Sequence, residues 1–254
     1  MTHDDQVTVV MKTYSNSDFT NASVWAIRRY HPAIRVIFAD GHPTEPFREK
    51  IDSPWKRENL VWIPGASTED CQNAAVSLVD TEYTLLMDND CKVISPEALP
   101  LCVEALEKWD DVAASGWYGL VVKDWGNREA YVGTDFTDHL ELDATQATFS
   151  VHRTDMYKAV GGMPKTPFWP SVPTNLWEGK HLSAYTGDYT ICTAYRDIGL
   201  RVVSPKKAVP VLHWSQAIAW QRGSKAQSPF DEWWLKNCTH TKVNPLNDWK
   251  RRNH

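Results

Sequence analysis

The sequence lacks an apolar run long enough to cross a bilayer, a CxxC pair and a large excess of charge of either sign. A transmembrane helix needs about 20 consecutive apolar residues, and the acidic, polar start MTHDDQ is unlike a secretory signal peptide. The net charge of −5 excludes a general basic field that would draw the protein to lipid, and it argues mildly against long nucleic acid as a partner. These absences predict a cytoplasmic enzyme or binding protein.

Cysteine and tryptophan usage narrows the class of protein further. The five cysteines, at positions 71, 91, 102, 192 and 238, form an odd set, and three of them fall on apolar helical faces. We therefore expect reduced core residues. Tryptophan is abundant, with 13 residues, and seven of them lie from Trp169 onward. Such rings serve either core packing or the binding of a flat or ringed ligand, and both uses stay open here.

Strand and helix patterns alternate through the first 110 residues. Apolar runs at 7–11, 34–40, 60–63 and 83–87 predict four strands. Helical spacing predicts a helix that ends at Pro32 and two more, near 67–79 and 95–109. Continuous apolar strands between helices indicate a single α/β domain with a mainly parallel sheet, covered on both faces. Ligands of such sheets bind beyond the carboxyl ends of the strands.

Capping residues predict where two of these helices begin. Ser67 and Asp70 form a capping box. Ser95 is the expected N-cap of the next helix, with Pro96 at its first helical position.

The second half of the chain is less regular. Strands are predicted at 112–115, 119–123 and 147–153, followed by a short helix over 154–162 that glycine stops. Residues 161–186, rich in proline and tryptophan, predict a long binding loop or lid. A helix is then expected over 187–199, with residues 188, 191, 192, 195 and 198 on one side, before two closing strands at 200–204 and 208–214.

The segment TEYTLLMDNDCKV ends the fourth predicted strand on two aspartates, Asp88 and Asp90. On an extended chain, residues two apart point the same way with Cα atoms about 6.5–7 Å apart. Both carboxylates can then converge on one ligand while Asn89 faces away. Like charges so close repel unless a positive charge lies between them. Carboxylate oxygens suit Mg²⁺ or Mn²⁺, but the same three residues are also common in turns.

Six segments, taken together, resemble the GT-A-type glycosyltransferases, and glycosyltransferase family 2 most of all. They are VTVVMKTYSN, VIFADG, PGASTEDCQNAAVSLVDTEYTLLMDND, VHRTDMYKAVGGM, GDYTICTAYRDIGLRVVSP and VLHW, in family order over roughly residues 7–214. The resemblance implies a Rossmann-like GT-A domain over 1–214, with a donor half of about 1–110 and an acceptor half of about 111–214. Residues 215–254 would be a tryptophan-rich extension packed on the same domain.

The resemblance also implies a metal-dependent site for a sugar nucleotide, with a UDP sugar favoured. The residues expected to contact the nucleotide are Thr13, Tyr14, Asp40, Asn73 and Asp88. Asp90 would bind Mn²⁺ or Mg²⁺ on the diphosphate, and His213 would complete the metal site. Without the resemblance, Asp40 before Gly41 is a common turn pair, and a lone histidine at a strand end is more often structural.

Asp188 would be the catalytic base that accepts the proton of an acceptor hydroxyl, and in-line attack would invert the anomeric centre. A helix N-terminus at this position would favour its ionised form, although aspartate is also a preferred N-cap. The acceptor, a saccharide or another hydroxyl compound such as a modified nucleobase, would bind the C-terminal half. The candidate aromatic residues on that side are Trp169, Trp177, Trp214, Trp220 and Trp233.

The chain departs from the family pattern at three places. Gly187 stands where an acid is usual, and Gln72 stands where an arginine is usual. The missing cation near the diphosphate leaves Lys12, Arg153 or Arg222 as possible substitutes. The Gln-x-x-Arg-Trp motif of processive members is absent, which favours the addition of a single sugar.

Two other functions remain open on the residues alone. A non-catalytic module that binds a sugar nucleotide or a glycan would keep the fold without the missing acid and arginine. A nucleotidyltransferase also has paired aspartates on an α/β sheet, but MKTYSNSDF lacks the glycine-rich loop that it usually carries after the first strand.

Overall fold

The computed structural model describes residues 3–13, 17–43, 59–124, 127–132, 135–163 and 183–213. Within these ranges the helices are α1 (Ser17–Tyr30), α2 (Thr68–Ser77), α3 (Ala98–Lys108), α4 (Thr154–Ala159) and α5 (Ser183–Asp197). The strands are β1 (Val7–Thr13), β2 (Arg35–Asp40), β3 (Asn59–Trp62), β4 (Tyr83–Asp88), β5 (Cys91–Val93), β6 (Val112–Gly116), β7 (Tyr118–Asp124), β8 (Asn127–Val132), β9 (Leu140–Leu142), β10 (Ala144–Thr145), β11 (Phe149–Arg153), β12 (Arg201–Ser204) and β13 (Val211–His213). No helix in the described ranges has both the length and the apolar character that a membrane span requires.

The centre of the fold is an eight-stranded sheet with the order β3-β2-β1-β4-β11-β6-β12-β9. Six of the eight strands run in one direction, while β11 and β9 run against their neighbours. A three-stranded sheet, β10-β7-β8, and a two-stranded sheet, β13-β5, accompany it. The predicted α/β class with a mainly parallel sheet is therefore confirmed.

The strand order reverses direction between β1 and β4. From β1 the chain passes through α1 to β2 on one side, and from β3 it returns through α2 to β4 on the other. Because such parallel crossovers are right-handed, α1 and α2 lie on opposite faces of the sheet. A reversal of this kind opens a crevice at the carboxyl ends of the two central strands.

The core strands are buried along almost their whole length. In β1 the apolar side chains Val7, Val9, Val10 and Met11 are all fully buried, and the central residues of β4 are buried as well. Strands covered on both faces need such continuous apolar runs, which is why they stand out in the sequence. The cysteines at 71, 91, 102 and 192 are free and buried, as expected of reduced core residues.

Of the two predicted N-caps, the structure confirms one and contradicts the other. Ser67 is the N-cap of α2, and its hydroxyl accepts the Asp70 N–H at 3.2 Å. The cap predicted at Ser95 is wrong, because α3 begins only at Ala98 and its N-cap is Glu97. Residues 95–98 instead form a turn, in which the Ala98 N–H donates to the carbonyl of Ser95. Proline is as compatible with such a turn as with a helix start.

The last helix begins earlier than the sequence predicts. Helix α5 starts at Ser183 rather than at position 187, so Gly187 lies inside it and the end of the predicted loop is helical. Residues 164–182 of that loop lie outside the described residues. The predicted buried side holds for Asp188, Ile191, Cys192 and Tyr195, but Ile198 lies beyond the helix end and is 60% exposed.

Four strands escape the sequence pattern, and one of them, β10, has only two residues. Strands β5 and β9 have only three residues each, and β8 reads NREAYV with few apolar side chains. Strands β5 and β9 pair with partners far along the chain, and β8 pairs with its neighbour β7, so pairing rather than their own periodicity makes them strands.

Truncating the centre of β4 should strongly destabilise the fold. Leu86 is fully buried between β1 and β11, so Leu86→Ala removes contacts and leaves a cavity that costs about 2–5 kcal/mol. The measurement is the free energy of unfolding by urea denaturation. Leu78→Ala is the matched control, because Leu78 is 51% exposed and its loss should cost less than about 0.5 kcal/mol. Equal losses in the two variants would contradict this assignment of the core.

Candidate active site

The carboxyl ends of β1, β2 and β4 meet at one edge of the central sheet. Lys12 lies opposite Asp88 in the pairing of β1 with β4, and Thr13 lies opposite Asp40 in the pairing of β1 with β2. Parallel pairing therefore brings together three predicted donor-site residues from separate parts of the chain. They line the crevice where the strand order reverses.

Thr13 and Asp40 also hold the local backbone. Asp40 is fully buried, and its carboxylate accepts the N–H of His42 at 2.9 Å. This bond is typical of an aspartate that organises a turn. The Thr13 hydroxyl donates to the carbonyl of Ala39 at 3.4 Å. Both side chains thus stand at the sheet edge in orientations that the protein itself maintains.

Asp88 is held from two sides. Its Oδ1 lies 2.6 Å from Nζ of Lys12, and its Oδ2 accepts the hydroxyl of Thr148 at 3.0 Å. The Asp88 N–H in turn donates to the carbonyl of Thr148 at 3.0 Å. Sequence reasoning missed Thr148, because only the antiparallel pairing of β11 with β4 brings it here and no motif marks it.

The two aspartates converge, but not on an extended chain as predicted. Strand β4 ends at Asp88, and Asn89 and Asp90 form a turn into β5. Asn89 faces away toward α1, as expected, and its side chain donates to the hydroxyl of Thr20 at 2.9 Å. The Ser23 hydroxyl donates to the Asn89 carbonyl at 2.8 Å. These residues therefore form a turn and at the same time bring the two carboxylates together.

His213 completes a group of side chains that could hold a metal ion. The antiparallel pairing of β13 with β5 sets His213 opposite Cys91. Its Nε2 lies 2.8 Å from Oδ1 of Asp90 and 3.7 Å from Oδ2 of Asp88. One ligand atom from each of these three residues lies within 4.8 Å of the others. Two carboxylates and an imidazole are a donor set that fits Mn²⁺.

Lys12 supplies a positive charge beside Asp88, with its Nζ 2.6 Å from Oδ1 of that residue. Burial by itself lowers the pKa of Lys12, but the carboxylates of Asp88, Asp188 and Asp90 outweigh burial and raise the pKa above its usual value. The ammonium therefore stays charged at all physiological pH values.

Asp188 lies in the interior of α5, as its sixth residue, and not at a helix N-terminus. The expected cap and the expected help from the helix dipole are therefore both wrong. Burial raises the pKa of Asp188 to about 6, against the opposing charge of Lys12 and with a further contribution from Asp88. A hydrogen bond from the Ala147 N–H partly offsets this effect. The residue is 9% exposed, and its carboxylate interacts electrostatically with Lys12 and Asp88.

The predicted donor-site residue Asn73 makes several contacts within the protein. Its amide oxygen accepts the N–H of Met163 at 2.9 Å and the hydroxyl of Tyr157 at 2.8 Å, and its nitrogen donates to the Met163 carbonyl. Gly162 has a φ of +77°, and a Cβ there would lie 2.4 Å from the Asn73 oxygen. Asn73 therefore fastens the turn after α4, and a contact with the nucleotide stays a prediction.

Arg153 is not the missing diphosphate cation. Its guanidinium donates to the carbonyls of Leu106 and Val112, and Arg153 lies opposite Tyr83 at the amino end of β4. That end of the strand is opposite to the one occupied by Asp88. The predicted residues Tyr14, Trp169, Trp177, Trp214, Trp220, Arg222 and Trp233 lie outside the described residues.

The comparison with protein families identifies the class. The model of the family described as "Glycosyl transferase family 2" matches residues 8–158, more than half of the chain. The chain therefore belongs to glycosyltransferase family 2. The matched range includes Lys12, Asp40, Asp88 and Asp90.

Solved structures show that the fold is of the GT-A type. One is a mannosyltransferase from Pyrobaculum calidifontis in complex with GDP-Man and Mn²⁺, with a TM-score of 0.54, 14% identity, and coverage of 89% of this chain and 66% of that one. Another is GalNAc-T7 with UDP, GalNAc and Mn²⁺, with a TM-score of 0.58, 10% identity, and coverage of 82% and 43%.

Among curated proteins, the chain is similar to beta-1,4 N-acetylgalactosaminyltransferase 1 of Homo sapiens and of Rattus norvegicus. In both cases the identity is 30% over 107 residues, or 40% of this chain. The match spans only 18% of the length of these relatives.

Replacing Asp188 with asparagine should stabilise the fold near neutral pH. The folded pKa of about 6 lies above the ordinary 3.8, so the folded state resists ionisation, and the charge weakens the fold as the pH rises through this range. At about pH 7.5 we expect the free energy of unfolding to increase by about 1–3 kcal/mol in Asp188→Asn, and the gain to shrink toward about pH 4. Urea denaturation of both proteins at the two pH values measures the free energy of unfolding.

The matched control is Asp197→Asn, at the exposed end of the same helix. It should change the free energy of unfolding by less than about 0.5 kcal/mol at either pH. A loss of stability in Asp188→Asn near neutral pH would show that the carboxylate is better compensated than its burial indicates.

Proposed function

We propose that this chain transfers one sugar from a nucleoside-diphosphate sugar to an acceptor hydroxyl, with the help of a divalent metal ion and with inversion at the anomeric carbon. The observation that carries the proposal is the convergence of Asp88, Asp90 and His213 in the crevice between β1 and β4. Membership of glycosyltransferase family 2 supports sugar transfer as the reaction class.

The donor nucleotide would lie along the carboxyl ends of β1, β2 and β4. Thr13, Tyr14 and Asp40 would contact the base and ribose, with Asp88 near the ribose. Thr13 and Asp40 lie at this edge in register, which supports a shared ligand. A UDP sugar is favoured, and UDP in the GalNAc-T7 structure supports this choice, while GDP-Man in the other neighbour makes GDP the alternative to test.

Asp90 and His213 would hold Mn²⁺ or Mg²⁺, with Asp88 beside them. When bound, the ion supplies Lewis-acid stabilisation of the negative charge on the leaving diphosphate. Asp88 needs little reorientation to lie beside the metal ion, because Lys12 and Thr148 already fix both of its oxygens. A site organised before the ligand arrives loses less free energy to reorganisation during the reaction.

Asp188 would remove the proton from the acceptor hydroxyl as the hydroxyl attacks the anomeric carbon. A pKa of about 6 leaves this carboxyl ionised near neutral pH. It also makes the carboxylate a stronger base than an exposed aspartate. Attack from the side opposite to the diphosphate inverts the configuration. The acceptor would lie on the C-terminal side, where Trp169, Trp177 and Trp214 are the proposed stacking residues.

Nucleotide binding tests the donor and metal site directly. In a thermal-shift assay with UDP, GDP and their sugars, we expect the melting temperature of the wild-type protein to rise with one nucleotide, and only when Mn²⁺ is present, because a ligand of the folded state stabilises it by mass action. Asp90→Ala should abolish the shift, since it removes a metal ligand.

Asp80→Ala is the control for that experiment. Asp80 is an exposed aspartate paired with Arg35 and should leave the shift unchanged. If none of the nucleotides raised the melting temperature, or if Asp90→Ala responded like the wild type, the proposed donor site would be wrong.

The pH dependence of turnover tests the base. With the donor well below its KM, kcat/KM should rise about tenfold per pH unit below the pKa of about 6 and level off above it, because kcat/KM reports the free enzyme, in which only the ionised Asp188 accepts a proton. Asp188→Asn should lose at least about 100-fold in kcat while still showing the Mn²⁺-dependent nucleotide shift. Substantial turnover by this variant would rule out Asp188 as the base.

A further inference from the structure

The position of Lys12 in the crevice indicates a second role for it, in addition to balancing the charge of the nearby acids. It lies near the carboxyl end of β1, at the reversal of strand order, and its side chain is 17% exposed. Its ammonium touches Asp88, one of the three residues of the candidate metal group. It is thus a permanent cation beside the place proposed for the diphosphate.

The charges around Lys12 show why a second cation is needed there. Asp88, Asp90 and Asp188 all interact electrostatically with the ammonium. When ionised, they carry three negative charges, which a divalent metal ion and Lys12 together would just neutralise. A nucleoside diphosphate adds more negative charge to this poorly hydrated crevice, where unbalanced charge is costly.

We propose that Lys12 binds the diphosphate of the donor, with its ammonium contacting the phosphate oxygens beside the metal ion. This inference rests on the proposed function, since it requires a nucleoside-diphosphate donor. Oδ1 of Asp88 lies 2.6 Å from Nζ of Lys12 and so keeps the ammonium in place for the phosphate. Lysine is well suited to this task as a compact point charge with three donors.

The proposal predicts effects of opposite sign on two ligands. The ammonium repels a cation bound at Asp88, Asp90 and His213, and it attracts a diphosphate. Removing its charge should therefore tighten the binding of metal alone and weaken the binding of the nucleotide. If Lys12 only held Asp88 in place, its removal would disturb the site and weaken both.

The experiment compares Lys12→Met, Lys12→Gln and Lys12→Arg with the wild-type protein. Mn²⁺ affinity without nucleotide is measured by electron paramagnetic resonance of the free ion. UDP and GDP affinities are measured by calorimetry with saturating Mn²⁺. The two neutral variants provide independent tests, and each is first checked for a native circular dichroism spectrum. Lys108→Met is the control, because Lys108 pairs with Asp138 at the surface.

For both neutral variants we expect the Kd of Mn²⁺ to fall by roughly threefold or more and the Kd of the nucleotide to rise by roughly tenfold. Lys12→Arg should stay within about threefold of the wild type for the nucleotide, since it keeps the charge. Lys108→Met should change neither constant.

Two results would overturn the inference, and only one of them would also contradict the proposed function. If the wild type binds a nucleotide and the neutral variants weaken both ligands or change neither, Lys12 does not bind the diphosphate, while the proposed function stands. If the wild type binds neither UDP nor GDP, both the proposed function and this inference fail.

Discussion

The ion pair between Lys12 and Asp88 is the interaction on which the candidate site depends. It joins the two central strands, β1 and β4, at the carboxyl edge where the strand order reverses. Three carboxylates meet near this edge, and without a fixed cation their mutual repulsion would push them apart. Because Lys12 neutralises part of this charge, the aspartates can stay close together in the folded protein before any ligand binds.

The metal group shows how local and long-range order combine. Asp88 and Asp90 are neighbours in one turn, so a short stretch of chain determines their separation. His213 comes from more than 120 residues away, and it reaches Asp90 because β13 pairs with the three-residue strand β5. A strand of only three residues thereby supplies the third side chain of the candidate metal centre.

Asp188 illustrates the tension between stability and chemistry. The interior of a helix at a buried face is a poor place for a charge, and the raised pKa reflects this cost. The same burial makes the carboxylate more basic than one in water. The stability of the fold must therefore come from elsewhere, mainly from the continuous apolar strands β1 and β4. Functional sites commonly carry such locally unfavourable groups.

Local patterns in the residues were enough to predict the α/β class, the four parallel strands, the cap at Ser67 and the acids at the ends of β2 and β4. Each of these follows from side chains close together in the chain. Three features could not be predicted in this way: the position of Asp188 inside α5 rather than at its start, the contact of Thr148 with Asp88, and the pairing of β5 with β13. They arise from contacts between distant segments, whose free energy depends on packing and register that no local periodicity encodes.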